Sequence, residues 1–207
     1  MRIIETDADV AEGAAWLAAF DPRFAEALKE TGPLPLRRRS DGFEALLSAV
    51  VGQQVSIASA SAIWARVEAA GFHIQSNVAM ASEADLQGVG LSRPKVRYAK
   101  ALADNELDYS SLRAMSDDSV IAELCKILGI GTWTAEVYAL SSLGRSDVFP
   151  NGDLALQEAA KVLFELDVRP NEKQMKAIAV DWSPWRAVAA RLLWAYYRVI
   201  KNREGIR

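Results

Sequence analysis

Apolar residues recur at three- and four-residue spacing through nearly the whole chain, a period that belongs to helices. Val10, Ala14, Leu17 and Ala18 share one face of a first segment, and Phe43, Leu46, Leu47, Val50 and Val51 share one face of another. Val120, Ile121, Leu124 and Leu128 form a third stripe, and Val188, Leu192, Ala195 and Val199 a last one. Alternation of apolar and polar residues never persists and β-branched runs are missing, so no strand is expected. Starts and stops are marked: Ser40 or Asp41, Ser92, Ser116 and Asn171 sit at capping positions, Pro22 opens a short helix, and Gly71 closes one. The fold class that follows is all-α, with about ten helices.

Composition limits the alternatives. With 207 residues, 51% of them apolar, the chain can build one sizeable core or two small lobes. No apolar run approaches the ~20 residues that cross a bilayer. The N-terminus lacks the apolar centre of a signal peptide, so a cytosolic compartment is the default. The single cysteine, Cys125, excludes an internal disulfide and any four-cysteine metal or iron–sulfur centre. A net charge of −3 gives no global sign of nucleic acid, so a DNA partner would need basic residues gathered on one face. Arg37 to Arg39 read as a solvated loop, and the lone His73 as a surface residue.

One segment carries chemistry. Leu128-Gly129-Ile130-Gly131 joins two helical patterns. Its glycines permit a tight reversal and let another backbone come close. Gly131 stands where the next helix begins, at Thr132, so free N–H groups and the positive end of a helix dipole meet at a spot that suits a phosphate oxygen. Ile130 at the tip would pack between the two helices, and the hairpin carbonyls, those of Leu128 and Ile130, can hold a monovalent cation. On these residues alone, an ordinary glycine-capped turn is the simpler reading. The segment closes on Asp153 after Pro150-Asn151-Gly152, where a capping role is likewise the simpler reading.

The whole string says more. Leu128-Gly129-Ile130-Gly131-Thr132-Trp133-Thr134-Ala135, with Asp153 following Phe149-Pro150-Asn151-Gly152, resembles the helix-hairpin-helix DNA glycosylases, and among them the bacterial 3-methyladenine DNA glycosylase II group. The likeness extends to Gly52-Gln53-Gln54-Val55-Ser56, to Gly90-Leu91-Ser92 with Lys95, and to Trp182-Ser183-Pro184-Trp185-Arg186, and so covers residues 40 to 200.

The resemblance implies base excision repair of double-stranded DNA by hydrolysis of the N-glycosidic bond of a flipped-out, alkylated base of the 3-methyladenine type. It implies a monomer of the bacterial cytosol with no membrane partner. No cofactor is required, and the hairpin can hold a Na or K ion. Asp153 matches the catalytic carboxylate, which stabilises positive charge on the sugar and orients the attacking water. Members that also cut the backbone use a lysine where Trp133 stands here; an indole forms no imine, so no lyase activity is expected. Trp194 matches a tryptophan that lines the base pocket, and Trp133 joins it as a pocket residue. Val137 stands where at least one member has a pocket aromatic, with Tyr138 adjacent. Plain core packing is the alternative for Trp194, and more so for Trp133, Trp182 and Trp185. Gln53 and Gln54 lie where the family inserts a side chain into the duplex, with Gln54 at the wedge position itself. Ser92, Lys95, Gly129, Ile130, Gly131 and Thr132 complete the expected DNA contacts.

The helix-hairpin-helix motif is expected near residues 117–143. Larger bacterial members carry a further N-terminal sheet domain, whereas the residues that precede the matched region here read as helices. They are expected to pack as one lobe, 1–40 plus 146–207. Residues 41–145 would form the other lobe, with the site in the cleft between. The missing cysteine cluster separates the chain from the endonuclease III and adenine-mismatch branches. A non-catalytic DNA-binding module that uses the hairpin alone is the alternative, and Asp153 together with the pocket tryptophans argues against it.

Overall fold

The structure, a computed structural model, describes residues 2–203. Helices α1 (Asp7–Phe20), α2 (Pro22–Thr31), α3 (Phe43–Gly52), α4 (Ile57–Ala69), α5 (Gln75–Met80), α6 (Glu83–Gly88) and α7 (Arg93–Ala103) come first. They are followed by α8 (Tyr109–Leu112), α9 (Asp117–Leu124), α10 (Thr132–Ser141), α11 (Leu154–Leu163), α12 (Glu172–Ala179) and α13 (Arg186–Arg203), with a 3-10 turn at Val180–Trp182. Among the described residues β pairing is limited to one isolated bridge, Ile3 with Arg145. The fold is all-α, as the periodicity requires. The thirteen helices among the described residues exceed the expected number because pieces such as α8, four residues long, carry no stripe to be read.

Side chains cap many of the helices as the sequence suggests. Ser116 accepts from Ser119 N and Asn171 from Gln174 N, and Asp21 precedes Pro22 at the head of α2. The start of α3 differs from expectation. Neither Ser40 nor Asp41 caps it; Gly42 does, at φ 95°, and Asp41 pairs with Arg113 instead.

The chain divides into two compact units: residues Arg39–Tyr138, and the segments that flank them. The second boundary falls within α10 and not after residue 145, because Leu140 already belongs to the flanking unit's core.

In the flanking unit α13 packs on α1, α2 and α11, around Leu17, Phe24, Leu156, Ala160, Val188 and Leu192. Trp182 meets Phe24 and Phe149 edge-on at 5.4 Å and stacks on Phe164 at 5.7 Å. Asp147 accepts two 2.8 Å bonds from Arg186 and one of 2.8 Å from the Ser183 hydroxyl. The Trp182–Arg186 motif therefore has a structural job. It grips Asp147 and Phe149, and so fixes the segment that runs into Asp153.

Gly13 on α1 is another such point, since a Cβ there would lie 2.6 Å from both Trp185 and Val188 side-chain atoms. Gly13→Ala should therefore destabilise the protein by about 1–3 kcal/mol despite alanine's better helix propensity, measured by denaturant unfolding.

In the middle unit α7 packs against α3, α5 and α6. Leu46, Leu47, Val50, Val96, Leu102, Val120 and Leu124 are all at most 1% exposed and form its interior.

Candidate nucleic-acid interface and active site

The hairpin begins where α9 stops at Leu124. Ile130 N donates to Ile127 O at 3.0 Å, which closes the turn, and Ile130 is 4% exposed while Leu128 stands out at 59%. The two glycines serve different needs. Gly129 adopts φ 91°, and a Cβ on it would meet the Tyr98 ring at 2.3 Å. Gly131 has no such neighbour: a Cβ there meets nothing within 4 Å, so what glycine supplies is open access to the first turn of α10.

Seven of the eight expected DNA-contacting residues line one groove of about 490 Å³: Gln53, Gln54, Ser92, Lys95, Gly129, Ile130 and Gly131. Thr132 is exposed next to it as the first residue of α10. Tyr98 also lines the groove, and no sequence signal marked it. Its role shows only through the Gly129 backbone it abuts.

The two glutamines differ. Gln53 Nε2 donates to Gly129 O at 3.0 Å and to Thr134 Oγ1 at 3.3 Å. Gln54 is exposed and holds φ 56°, an uncommon state for a residue with a side chain. Lys95 is only 8% exposed and donates to Val51 O at 2.7 Å, at the carbonyl end of α3. Burial lowers its pKa.

Asp153 is the N-cap of α11. Its Oδ1 accepts from Ala155 N at 2.9 Å and Leu156 N at 3.1 Å, and it is half-buried. The turn before it is tied down: Asn151 Nδ2 donates to Phe149 O at 2.9 Å, and Gln157 Nε2 donates to Asn151 O at 2.8 Å. Capping and chemistry are thus compatible in one side chain. Leu154 follows at 62% exposure, an apolar residue beside the carboxylate that sequence reading passed over. Its only signal was an apolar residue at the first helical position.

The aromatic residues sort clearly. Trp182 and Trp185 are 3% and 2% exposed and belong to the core. Trp133 is 42% exposed on the first turn of α10, so core packing does not account for it. Trp194 is half-buried at the margin of the flanking core, with the Arg37 guanidinium 5.5 Å from its ring centroid. Val137 is half-buried. Tyr138 is 3% exposed, and its hydroxyl accepts from Gly42 N at 2.9 Å. Burial, chiefly, pushes that phenol up to about 12. Tyr138 therefore helps position the head of α3 and offers almost no surface to a base.

The arginine triplet is not a solvated loop. Arg37 lies over Trp194 and Arg38 donates to Ser142 O at 2.9 Å, leaving Arg39 exposed. Arg191 is fully buried near them and donates to Leu36 O at 3.0 Å and Ala187 O at 2.9 Å. Burial, then the charges of Arg37 and Arg38, bring its pKa down to about 10.

Among the described residues no cluster of His, Cys, Asp and Glu could hold a metal ion. The hairpin carbonyls differ among themselves. Those of Ile127, Gly129 and Gly131 each accept a hydrogen bond from the protein, whereas among the described residues none reaches those of Leu128 and Ile130. Two such oxygens fit a hard monovalent cation.

The model of the HhH-GPD superfamily base excision DNA repair protein matches residues 47–184. A curated Bacillus subtilis relative, "DNA-3-methyladenine glycosylase", is 30% identical over 171 residues, 74% of this chain and 56% of its own length. Another relative from the same organism is covered over 40% of its length. A solved DNA-3-methyladenine glycosidase from Bacillus halodurans is 31% identical with a TM-score of 0.81, covering 98% of this chain and 95% of that one. The Schizosaccharomyces pombe 3-methyladenine DNA glycosylase Mag1, solved with abasic DNA, is 26% identical with a TM-score of 0.78, covering 88% and 95%. With the hairpin, its groove and the capped carboxylate all in place, the chain belongs to the HhH-GPD superfamily of base excision DNA repair proteins.

Proposed function

We propose that this protein is a monofunctional DNA glycosylase that releases alkylated bases of the 3-methyladenine type from double-stranded DNA. The observation that carries the reading is Asp153. It is a half-buried carboxylate with Oδ1 anchored by two backbone N–H groups, in a chain whose hairpin groove gathers the residues expected to meet DNA. Two named 3-methyladenine glycosylases of known structure share the fold over nearly their whole length, one of them held on abasic DNA.

In the proposed reaction the N-glycosidic bond breaks and its electron pair leaves with the base. Positive charge grows on the sugar and faces Asp153. Water adds its oxygen to the anomeric carbon, and its proton is released toward the carboxylate. The exposed indole of Trp133, with Val137 on the same helix, supplies a surface against which a flipped base stacks, and the ring of Trp194 in the flanking unit is a further candidate. A cationic alkylated base gains further from an electron-rich ring, although Arg37 already covers part of Trp194. The N-terminus of α10 grips a phosphate through Gly131 and Thr132. Ser92 and the buried charge of Lys95 add to the groove's attraction, Gln54 fills the space of the flipped nucleotide, and a Na or K ion at Leu128 and Ile130 would add positive charge beside the phosphate. No helix among the described residues is long and apolar enough to cross a membrane, and we place the protein as a monomer in the bacterial cytosol, on DNA.

The test is direct. Duplex DNA treated with a methylating agent is incubated with the protein, and released bases are separated and counted. Release of 3-methyladenine without strand cleavage, and without an adduct trapped by borohydride, is the expected result. No release would overturn the reading, and a trapped adduct would overturn its monofunctional part.

A further inference from the structure

Gln53 and Gln54 are adjacent in sequence and face different tasks in space. Gln53 closes α3: its N–H donates to Val50 O, and its backbone turns extended at φ −61°, ψ 131°. Its side chain reaches across 76 positions of sequence to the Gly129 carbonyl at 3.0 Å, and to the Thr134 hydroxyl at 3.3 Å in the first turn of α10. The amide orientation is not a free choice. Gly129 O can only accept, so the group facing it must be the NH₂. That carbonyl belongs to Gly129, whose φ of 91° and closeness to the Tyr98 ring leave no room for a side chain. Lys95 holds Val51 O at 2.7 Å, two residues before Gln53. Gln54 follows with φ 56° and an exposed side chain on the groove lined by Gly129 and Gly131. A non-glycine residue persists in that region when its surroundings over-determine it. Here the surroundings include two anchors just before the turn, at Val51 and at Gln53.

We propose that Gln53 is a positioning residue that clasps the wedge loop to the hairpin, so that gripping the phosphate and inserting Gln54 at the flipped nucleotide occur as one event. This rests on the glycosylase reading and on Gln54 as the wedge. The clasp makes the wedge's position a property of the hairpin. DNA seated on α10 meets Gln54 already aimed, and the cost of ordering the loop is met in folding and not in binding. Gln53 itself has no need to touch a base.

The experiment compares wild type with Gln53→Met, which keeps the length and loses the donor, and with Gln53→Glu, which turns a carboxylate oxygen toward the Gly129 carbonyl. Each is also made in a Gln54→Ala background. The readouts are thermal stability, affinity for undamaged duplex, affinity for a duplex with a tetrahydrofuran abasic analogue, and 2-aminopurine fluorescence as a report of flipping. Wild type should prefer the abasic-analogue duplex. Gln53→Met and Gln53→Glu should lose about tenfold in that preference, the ratio of the two affinities, together with flipping signal. In the Gln54→Ala background the same substitutions should cost at most about twofold, because the residue they act through is gone. If Gln53→Met keeps full preference, or loses as much without Gln54, the clasp is refuted while the glycosylase reading stands. Should Gln53→Met fail to fold, Gln53→Glu decides by the same criteria, and loss of folding in both would refute a positioning role in favour of a structural one. A wild-type protein with no preference for the abasic analogue, and no base release, would remove the glycosylase reading and the clasp with it.

Discussion

Asp153→Asn should abolish base release while leaving the protein folded and able to bind DNA. The physical basis is that the two jobs of this residue separate chemically. As an N-cap it needs one side-chain oxygen to accept from Ala155 N and Leu156 N, and an asparagine carbonyl does that about equally well. As the catalytic group it needs negative charge facing a sugar that becomes positive, which an amide cannot supply. The single-turnover rate should fall by about 10²–10³ or more, with the melting temperature within ~2 °C of wild type. Asp153→Ala provides the contrast. It loses charge and cap together, so a stability loss of about 1 kcal/mol joins the same rate loss. A rate for Asp153→Asn within about tenfold of wild type would leave Asp153 a cap and nothing more.

The second large effect concerns the hairpin, whose two glycines should respond in opposite ways. Gly131→Asp meets open space, so the protein should fold, but a carboxylate then stands where a phosphate is to bind. Affinity for duplex at fixed salt should fall by about tenfold or more, with a shallower dependence on salt concentration as the phosphate contact is lost. Gly131→Ala should fold and bind nearly as wild type. Gly129→Ala meets both a φ of 91° and the Tyr98 ring, and should cost stability outright, by about 2–4 kcal/mol. Calorimetry and a binding titration on the three variants separate the cases. Normal DNA affinity in Gly131→Asp would argue that the groove serves something other than a backbone phosphate.

The helical class was legible because periodicity acts locally: each stripe in α3, α9 and α13 needs only its own residues to be recognised. The hairpin and Asp153 were legible as a pattern, since glycine, helix start and carboxylate follow one another within one stretch. Other features were not. Ser92 is the N-cap of α7 as its sequence reads, yet makes no side-chain capping bond, and Asp41 reads as a cap yet pairs with Arg113. Trp133, Trp182, Trp185 and Trp194 are the same residue type, and only burial sorts two of them to the core and leaves Trp133 exposed and Trp194 at the margin. Tyr98 and the placement of Arg37 over Trp194 had no sequence signal, because each depends on what a distant segment brings beside it.

Sequence by itself determined the helical architecture, the glycine reversal between Leu128 and Thr132, and a carboxylate at a helix start. All of these follow from the conformational limits of a few adjacent residues. Tertiary structure alone decided that Gln53 spends its amide on Gly129 while Gln54 stays exposed, that Lys95 is buried against Val51, and that Tyr138 is withdrawn behind Gly42. Those are choices among hydrogen-bond partners far apart in the chain. A side chain's donors and acceptors are written in the sequence, but which carbonyl they reach is settled by packing.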